Sequence, residues 1–204
     1  REALALSAPQ ARDLKLLTAD SHDLPSLIAL SAQADVICST VGPYALYGSA
    51  LVEACVQTRT HYCDLTGEPQ WIREMIDTHH REAQAREVKI VHCCGYDSIP
   101  SDLGVLMMYE TMSTETLDEV KFFAGTSKGG FSGGTIASML NVLENASDPK
   151  VRRILGHPYG LSPDPETHGA DTSDQRGVRY EPSYRGQGAW TAPFIMASIN
   201  TKVV

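Results

Sequence analysis

Two carboxylates and two hydroxyls, Asp97, Ser98, Ser101 and Asp102, crowd one turn in the stretch CGYDSIPSDLG, Cys94 to Gly104. Such a group could move a proton or cap a helix. Asp97 would serve as an acid or base only with a raised pKa and a protonatable substrate atom in reach. Ser98 or Ser101 capping the next helix explains much of the same pattern. In TVGPYALYG, Gly42 precedes Pro43. A residue without Cβ lets a ligand approach the backbone, proline stiffens the turn, and Gly48 could open a helix whose amides are free for an anion. The competing reading is a ligand-free turn. Glu68 in TGEP either favours a helix dipole or orients a polar group of a substrate. Asp20 in TADSHD could accept from an adenine amine or help to cap a helix at Asp23.

Another glycine-rich run, Lys128 to Thr135 (KGGFSGGT), stands before a helical pattern. Glycines, hydroxyls and a lysine there suit an anion, or simply a flexible connection. The run lacks the G-K-[ST] ending of a P-loop and is not G-x-G-x-x-G. Gly186-Gln187-Gly188 has no strand before it. His61, Cys63, His92, Cys93 and Cys94 lack zinc spacing. Adjacent residues of a strand face opposite ways, so Cys93 and Cys94 do not readily share a site. No G-x-S-x-G elbow is present.

The elements that must position these loops alternate. Strand-like runs fall at Leu14–Leu17, Val36–Ser39, Tyr62–Leu65 and Val88–His92. Between them, SHDLPSLIALSAQ, SALVEACVQT and PQWIREMIDTHHREAQAR read as helices, the last with Ile72, Met75, Ile76 and Ala83 on one face. Such alternation predicts an α/β fold with a parallel, doubly wound sheet. Ligands of such sheets bind outside the carboxyl ends of the strands. The exits near Asp20, Thr40, Thr66 and Cys94 should therefore gather at one rim.

After Gly95 the rhythm changes. A helix is expected from Leu103 to Met112, a strand in EVKFFAG, and a helix over Thr135–Ala146 with Ile136, Met139, Leu140 and Leu143 on one side. DPKVRRIL is a short helical stretch. His157–Gly188 reads as a long loop and Trp190–Ile199 as an apolar strand. This gives a partial dinucleotide-binding domain over 1–108 and a partial α+β domain over 109–204. The opening REALALSAPQA reads as the tail of a helix and FIMASINTKVV as an interrupted strand, so the chain is expected to be an internal fragment.

Of 204 residues, 42% are hydrophobic and 21% charged, which predicts a globular chain. A net charge of -8 disfavours nucleic acid as a partner. No apolar run approaches the ~20 residues of a membrane span, and no secretory signal is seen. Five cysteines without a CxxC pair suit a reducing, intracellular compartment such as the cytoplasm.

STVGPYALYGSALVEAC, THYCDLTGEPQW, HCCGYDSIPSDLG and KGGFSGGTIASML occur in this order in saccharopine dehydrogenase-like oxidoreductases. The chain resembles most the branch called trans-acting enoyl reductases, from about Leu16 to GAWTAPFIMASINTKVV. The resemblance implies a Rossmann-type domain, an NAD or NADP cofactor and a second α+β domain over the site. It also implies hydride delivery to a carbon–carbon double bond of a lipid-like acyl substrate. Carried over, Thr40, Val41, Gly42 and Pro43 would line the cofactor, with Asp20 at its adenine end. Gly95, Tyr96 and Asp97 would lie near the nicotinamide, Tyr96 and Asp97 as the catalytic candidates. Glu68, Ser98, Ser132, Gly133, Gly134 and Thr135 would form the substrate side; no metal is implied. The resemblance leaves room for a homodimer and for lipid-surface association. A non-catalytic scaffold and a saccharopine or amino-acid dehydrogenase are the competing functions. The family's opening strand and glycine-rich turn have no counterpart here, so the 204 residues alone are expected to be poorly stable, inactive and weak in cofactor binding.

Overall fold

The computed structural model describes residues 8–112, 120–125, 128–130, 132–162, 177–194 and 196–203. Its centre is a three-stranded parallel sheet, β1 (Val36–Ser39), β2 (His61–Asp64) and β3 (Ile90–Val91), in that spatial order. The register pairs Ile37 with Tyr62, Cys38 with Cys63 and Ser39 with Asp64, then Tyr62 with Ile90 and Cys63 with Val91. Parallel neighbours need a crossover, and helices supply each one.

Helix α1 (Leu24–Ser31) starts after Asp23 with Pro25 in its first turn, where a missing N–H costs nothing. Between β1 and β2 come α2 (Tyr44–Tyr47), a single turn, and α3 (Ser49–Thr58). Arg59 ends α3 in the left-handed conformation. Helix α4 (Pro69–Ala85) buries Trp71, Ile72, Met75, His79 and Ala83 along one stripe at helical spacing. Helix α1 packs on α3 and α3 on α4, so these three form one row. The core lies between that row and the sheet, where Tyr44, Val52, Cys55, Tyr62, Trp71 and Met75 meet. The strand order advances in one direction only, a single winding.

The later part of the chain holds α5 (Ile99–Met112), α6 (Gly133–Asn145), α7 (Pro149–Gly156), a hairpin of β4 (Arg179–Glu181) with β5 (Ala189–Thr191), and α8 (Ala197–Val203). Helix α7 packs on α4 and α8 on α5. Ile199 of α8 enters the main core. Among the described residues no helix is long and apolar enough to cross a membrane.

Several sequence expectations change. Leu14–Leu17 is not a strand; among the described residues no strand pairs with its backbone, only the Lys15 side chain bonding through Nζ to Gln33 Oε1, and Leu14, Leu16 and Leu17 are exposed. An extended segment without a partner ladder is not a strand. Val120–Gly125, the described part of EVKFFAG, is likewise irregular, although Lys121 pairs with Glu181 of β4 at 3.4 Å. The expected strand Trp190–Ile199 pairs only to Thr191, because Pro193 has no N–H to continue a ladder. The supposed interrupted strand FIMASINTKVV carries α8 instead. The loop expected over 157–188 contains β4, which pairs through Tyr180 opposite Trp190, rings 5.9 Å apart; residues 163–176 of that loop lie outside the described residues. The helix tail expected at the start falls partly on residues 1–7, also outside them, while Pro9–Asp13 forms a 3-10 turn. In α6 the half-buried side is Ala137, Ser138, Asn141 and Val142, whereas Ile136, Met139, Leu140 and Leu143 are exposed.

Candidate functional site

Parallel register sends three strand exits to one rim. Thr40–Pro43 follows β1, Leu65–Glu68 follows β2 and His92–Asp97 follows β3. The fourth expected exit, at Asp20, does not come from a strand. Its turn still reaches the rim, because the His22 ring stands edge-on to Tyr47 of α2 at 5.5 Å. Asp20 Oδ1 accepts from the His22 N–H at 2.9 Å and so closes this turn. Asp23 starts α1 without a side-chain cap.

Glu68 is completely buried. Its Oε1 accepts from the Tyr44 N–H at 2.8 Å and its Oε2 from the Ala45 N–H at 3.1 Å. The Ser138 hydroxyl donates to Oε1 at 2.8 Å. Glu68 therefore complements the dipole of α2 rather than of its own helix. A negative group is well placed there, because the first amides of a helix lack internal partners.

Gly48 does not open a free helix end. Its N–H donates to the Tyr44 carbonyl at 2.7 Å, and its backbone stays helical between α2 and α3. The Gly48 N–H itself is thus spent within the chain, while Gly48 still caps α3, its carbonyl accepting from the Leu51 and Val52 N–H groups at 3.1 Å. A Cβ on Gly48 would lie 2.7 Å from the Trp71 ring. Gly42 is tight for a similar reason, with a Cβ 3.3 Å from the Tyr44 ring and 3.4 Å from Ser138 Oγ.

One pair at the rim was not singled out from the sequence as a site. Asp64, at the end of β2, is fully buried. Its Oδ2 lies 2.7 Å from His92 Nδ1, and its Oδ1 accepts from the Thr66 and Cys93 N–H groups at 3.0 and 3.2 Å. Three donors on two oxygens match a carboxylate, with Nδ1 of His92 carrying the proton. Among the described residues His92 Nε2 is buried without a hydrogen-bond partner, and the His92 ring stands edge-on to Trp71 at 5.1 Å. The signal was available: a carboxylate in a strand that is otherwise buried needs a partner. Burial pushes the Tyr44 phenol up to about 12, helped by the charges of Asp64 and Glu68. The Tyr62 phenol is also pushed up, by burial first and then by Asp64.

The CGYDSIPSD loop is clamped from the far end of the chain. The buried Ser98 hydroxyl donates to Asn200 Oδ1 at 2.9 Å, and Asn200 Nδ2 donates to the Asp97 carbonyl at 2.7 Å. Asp97 and Tyr96 are exposed, Tyr96 at 86%. A Cβ on Gly95 would crowd Leu65 at 3.1 Å. Thr40 and Val41 are exposed, and Pro43 is buried. Ser132 caps α6, its Oγ accepting from the Thr135 N–H at 3.1 Å. Among the described residues nothing fills the space beside Gly133, and Gly134 and Thr135 are exposed. Phe131 lies outside the described residues.

Cys93 points inward and donates to the Thr66 carbonyl at 3.1 Å, with burial pushing its thiol up to about 12. Cys38 and Cys63 are register partners on the opposite face, where burial and the neighbouring Cys38 push Cys63 up to about 11. Among the described residues no group of three or more His, Cys, Asp or Glu could hold a metal ion. A groove of about 220 Å³ runs between Met75 and Ile76 of α4 and Val88, Ile90 and His92; apart from His92, the rim residues above do not line it.

No protein-family model matches the chain, and no solved structure matches it significantly. Curated relatives do. A Mycobacterium tuberculosis protein provisionally named as a trans-acting enoyl reductase is 46% identical over 213 aligned positions, covering all of this chain and 50% of the relative. A trans-acting enoyl reductase of Mycobacterium leprae is 36% identical, with 100% of this chain and 51% of the relative covered. One of Mycobacterium bovis is 38% identical, with 96% and 49% covered. The chain spans about half the length of the curated relatives it matches, and along that half it is similar to proteins named as trans-acting enoyl reductases.

Proposed function

We propose that the whole protein carrying this chain is an NAD(P)-dependent enoyl reductase of the saccharopine dehydrogenase-like family. It reduces a carbon–carbon double bond in a lipid-like acyl substrate. The observation that carries this reading is the convergence of three parallel strand exits on one rim, in a chain 46% identical to a relative named for that activity. The sheet is read as part of a doubly wound Rossmann-type domain, extending about to residue 108, with the rest as part of a second, substrate-side domain.

The residues fit one part of a dinucleotide better than another. Exposed Thr40 and Val41 at the β1 exit, and exposed Tyr96 and Asp97 at the β3 exit on the other side of β2, leave the rim open, which suits the nicotinamide end. The amides of Tyr44 and Ala45 already serve Glu68. A diphosphate would meet that carboxylate rather than free N–H groups, so we place no phosphate there. Asp20, beside α2 through His22, remains the residue proposed for the adenine end. The cofactor would supply the hydride; the chain's own part is to hold the ring and exclude water. Tyr96 and Asp97, exposed at the rim, are the groups proposed to meet the reacting end, with Ser132–Thr135 on the substrate side. The 204 residues by themselves should bind NAD(P)H weakly and show no turnover.

The test uses the full protein with NADPH or NADH and α,β-unsaturated acyl thioesters of increasing chain length. Loss of reduced-cofactor absorbance, matched by formation of the saturated thioester, is the expected result. No consumption with either cofactor at any chain length contradicts the reading.

A further inference from the structure

Glu68 joins two parts of the chain that the proposed function assigns to different ligands. Its carboxylate fixes the turn that follows Gly42-Pro43, through the N–H groups of Tyr44 and Ala45 at 2.8 and 3.1 Å. The same Oε1 receives the Ser138 hydroxyl, 2.8 Å away and 70 residues further on. Ser138 belongs to α6, the helix that begins at the Ser132 cap. Ser138 Oγ also stands 3.4 Å from where a Gly42 Cβ would be, so it lies close to the loop as well as to its anchor. Glu68 is fully buried, and the two donors other than Ser138 are backbone amides. Removing the hydroxyl thus takes one of three donors from a buried carboxylate, where a hydrogen bond to charge is worth more than one between neutral groups.

We propose that Glu68 and Ser138 form a latch that couples the position of α6 to the order of the Val41–Pro43 loop. Glu68 and Ser138 are positioning residues in it, acting on bound groups only through the loop. When α6 is seated, Ser138 completes the Glu68 anchor and the loop is held. When α6 shifts, the anchor loses a donor and the loop loosens. A ligand that seats α6 therefore tightens a ligand held at the loop, and the reverse holds by linkage. This coupling rests on the proposed assignment of the loop to the cofactor and the start of α6 to the substrate; the latch itself rests on the distances alone.

The experiment has two independent readouts on the full protein. The first is amide hydrogen exchange at Tyr44 and Ala45 in the absence of any ligand. Ser138→Ala should accelerate exchange there by about tenfold, the size expected for losing one charge-assisted bond. Ser138→Thr, which keeps a hydroxyl, should restore most of the protection. Unchanged exchange in Ser138→Ala, or a loss that Thr does not rescue, overturns the latch. The second readout is NADPH affinity by fluorescence titration. A several-fold loss in Ser138→Ala, rescued by Thr, supports the coupling; wild-type affinity in Ser138→Ala overturns it. If the wild-type protein itself binds no NADPH, the cofactor assignment and the coupling fail together, while the exchange result still decides the latch.

Discussion

Asp64 and His92 close the rim between β2 and β3 with a buried contact of 2.7 Å from Oδ2 to Nδ1. The same carboxylate holds two backbone amides of the loops that leave those strands. One side chain therefore sets the shape of two exits at once. Removing it strands a buried imidazole N–H and two buried amides.

Asp64→Ala should destabilise the protein by about 3 kcal/mol, the range for breaking a buried pair. Asp64→Asn, which keeps one acceptor oxygen, should cost less. Urea denaturation of the full protein checks both. A loss below about 1 kcal/mol for the alanine variant would mean that the contact is not formed in solution.

Gly48→Ala should also destabilise, by about 1–3 kcal/mol, as overpacking does. The added Cβ would sit 2.7 Å from the Trp71 ring and 2.8 Å from the Tyr44 carbonyl oxygen. Thermal unfolding is the measurement. Gly133→Ala is the contrast, since a Cβ there meets none of the described residues within 4 Å, and its melting temperature should stay near wild type.

Tyr44 gives an alkaline signature. Its phenol is raised from 10.0 to about 12, chiefly by burial. A raised folded pKa means that the folded state holds its proton more tightly than the unfolded chain. The contribution is intact below pH 10 and is lost as pH climbs from there through about 12. Phenolate absorbance should show a late step near pH 12, and Tyr44→Phe should remove that step, the Tyr62 phenol being raised further still. A late step that persists in the variant would assign it to another tyrosine.

Much of this arrangement was legible because its signals are local. The helix at Ser49–Thr58 matches the stretch read from the sequence, and Pro69 marks the start of α4. Three of the four exits meet where alternating strands and helices require. What failed depended on partners distant in sequence. Leu14–Leu17 has the apolar character of a strand, but strandness belongs to a pair. In Trp190–Ile199 the apolar pattern outweighed Pro193, which ends the ladder. Glu68 was weighed between its own helix dipole and a substrate; its real contacts are with α2, 23 and 24 residues back, and with Ser138, 70 residues ahead. Asp64 and His92 are 28 residues apart, and only the register of β2 with β3 brings them together.

Val41 offers the most direct test of the central claim, that this rim holds the nicotinamide cofactor. It is 56% exposed, so a substitution there leaves the core untouched. Val41→Asp places a negative charge against the proposed position of an anionic cofactor. NADPH fluorescence titration of the full protein should show at least about a tenfold loss of affinity, with the melting temperature unchanged. Wild-type affinity in that variant would contradict the account and move the cofactor away from this rim.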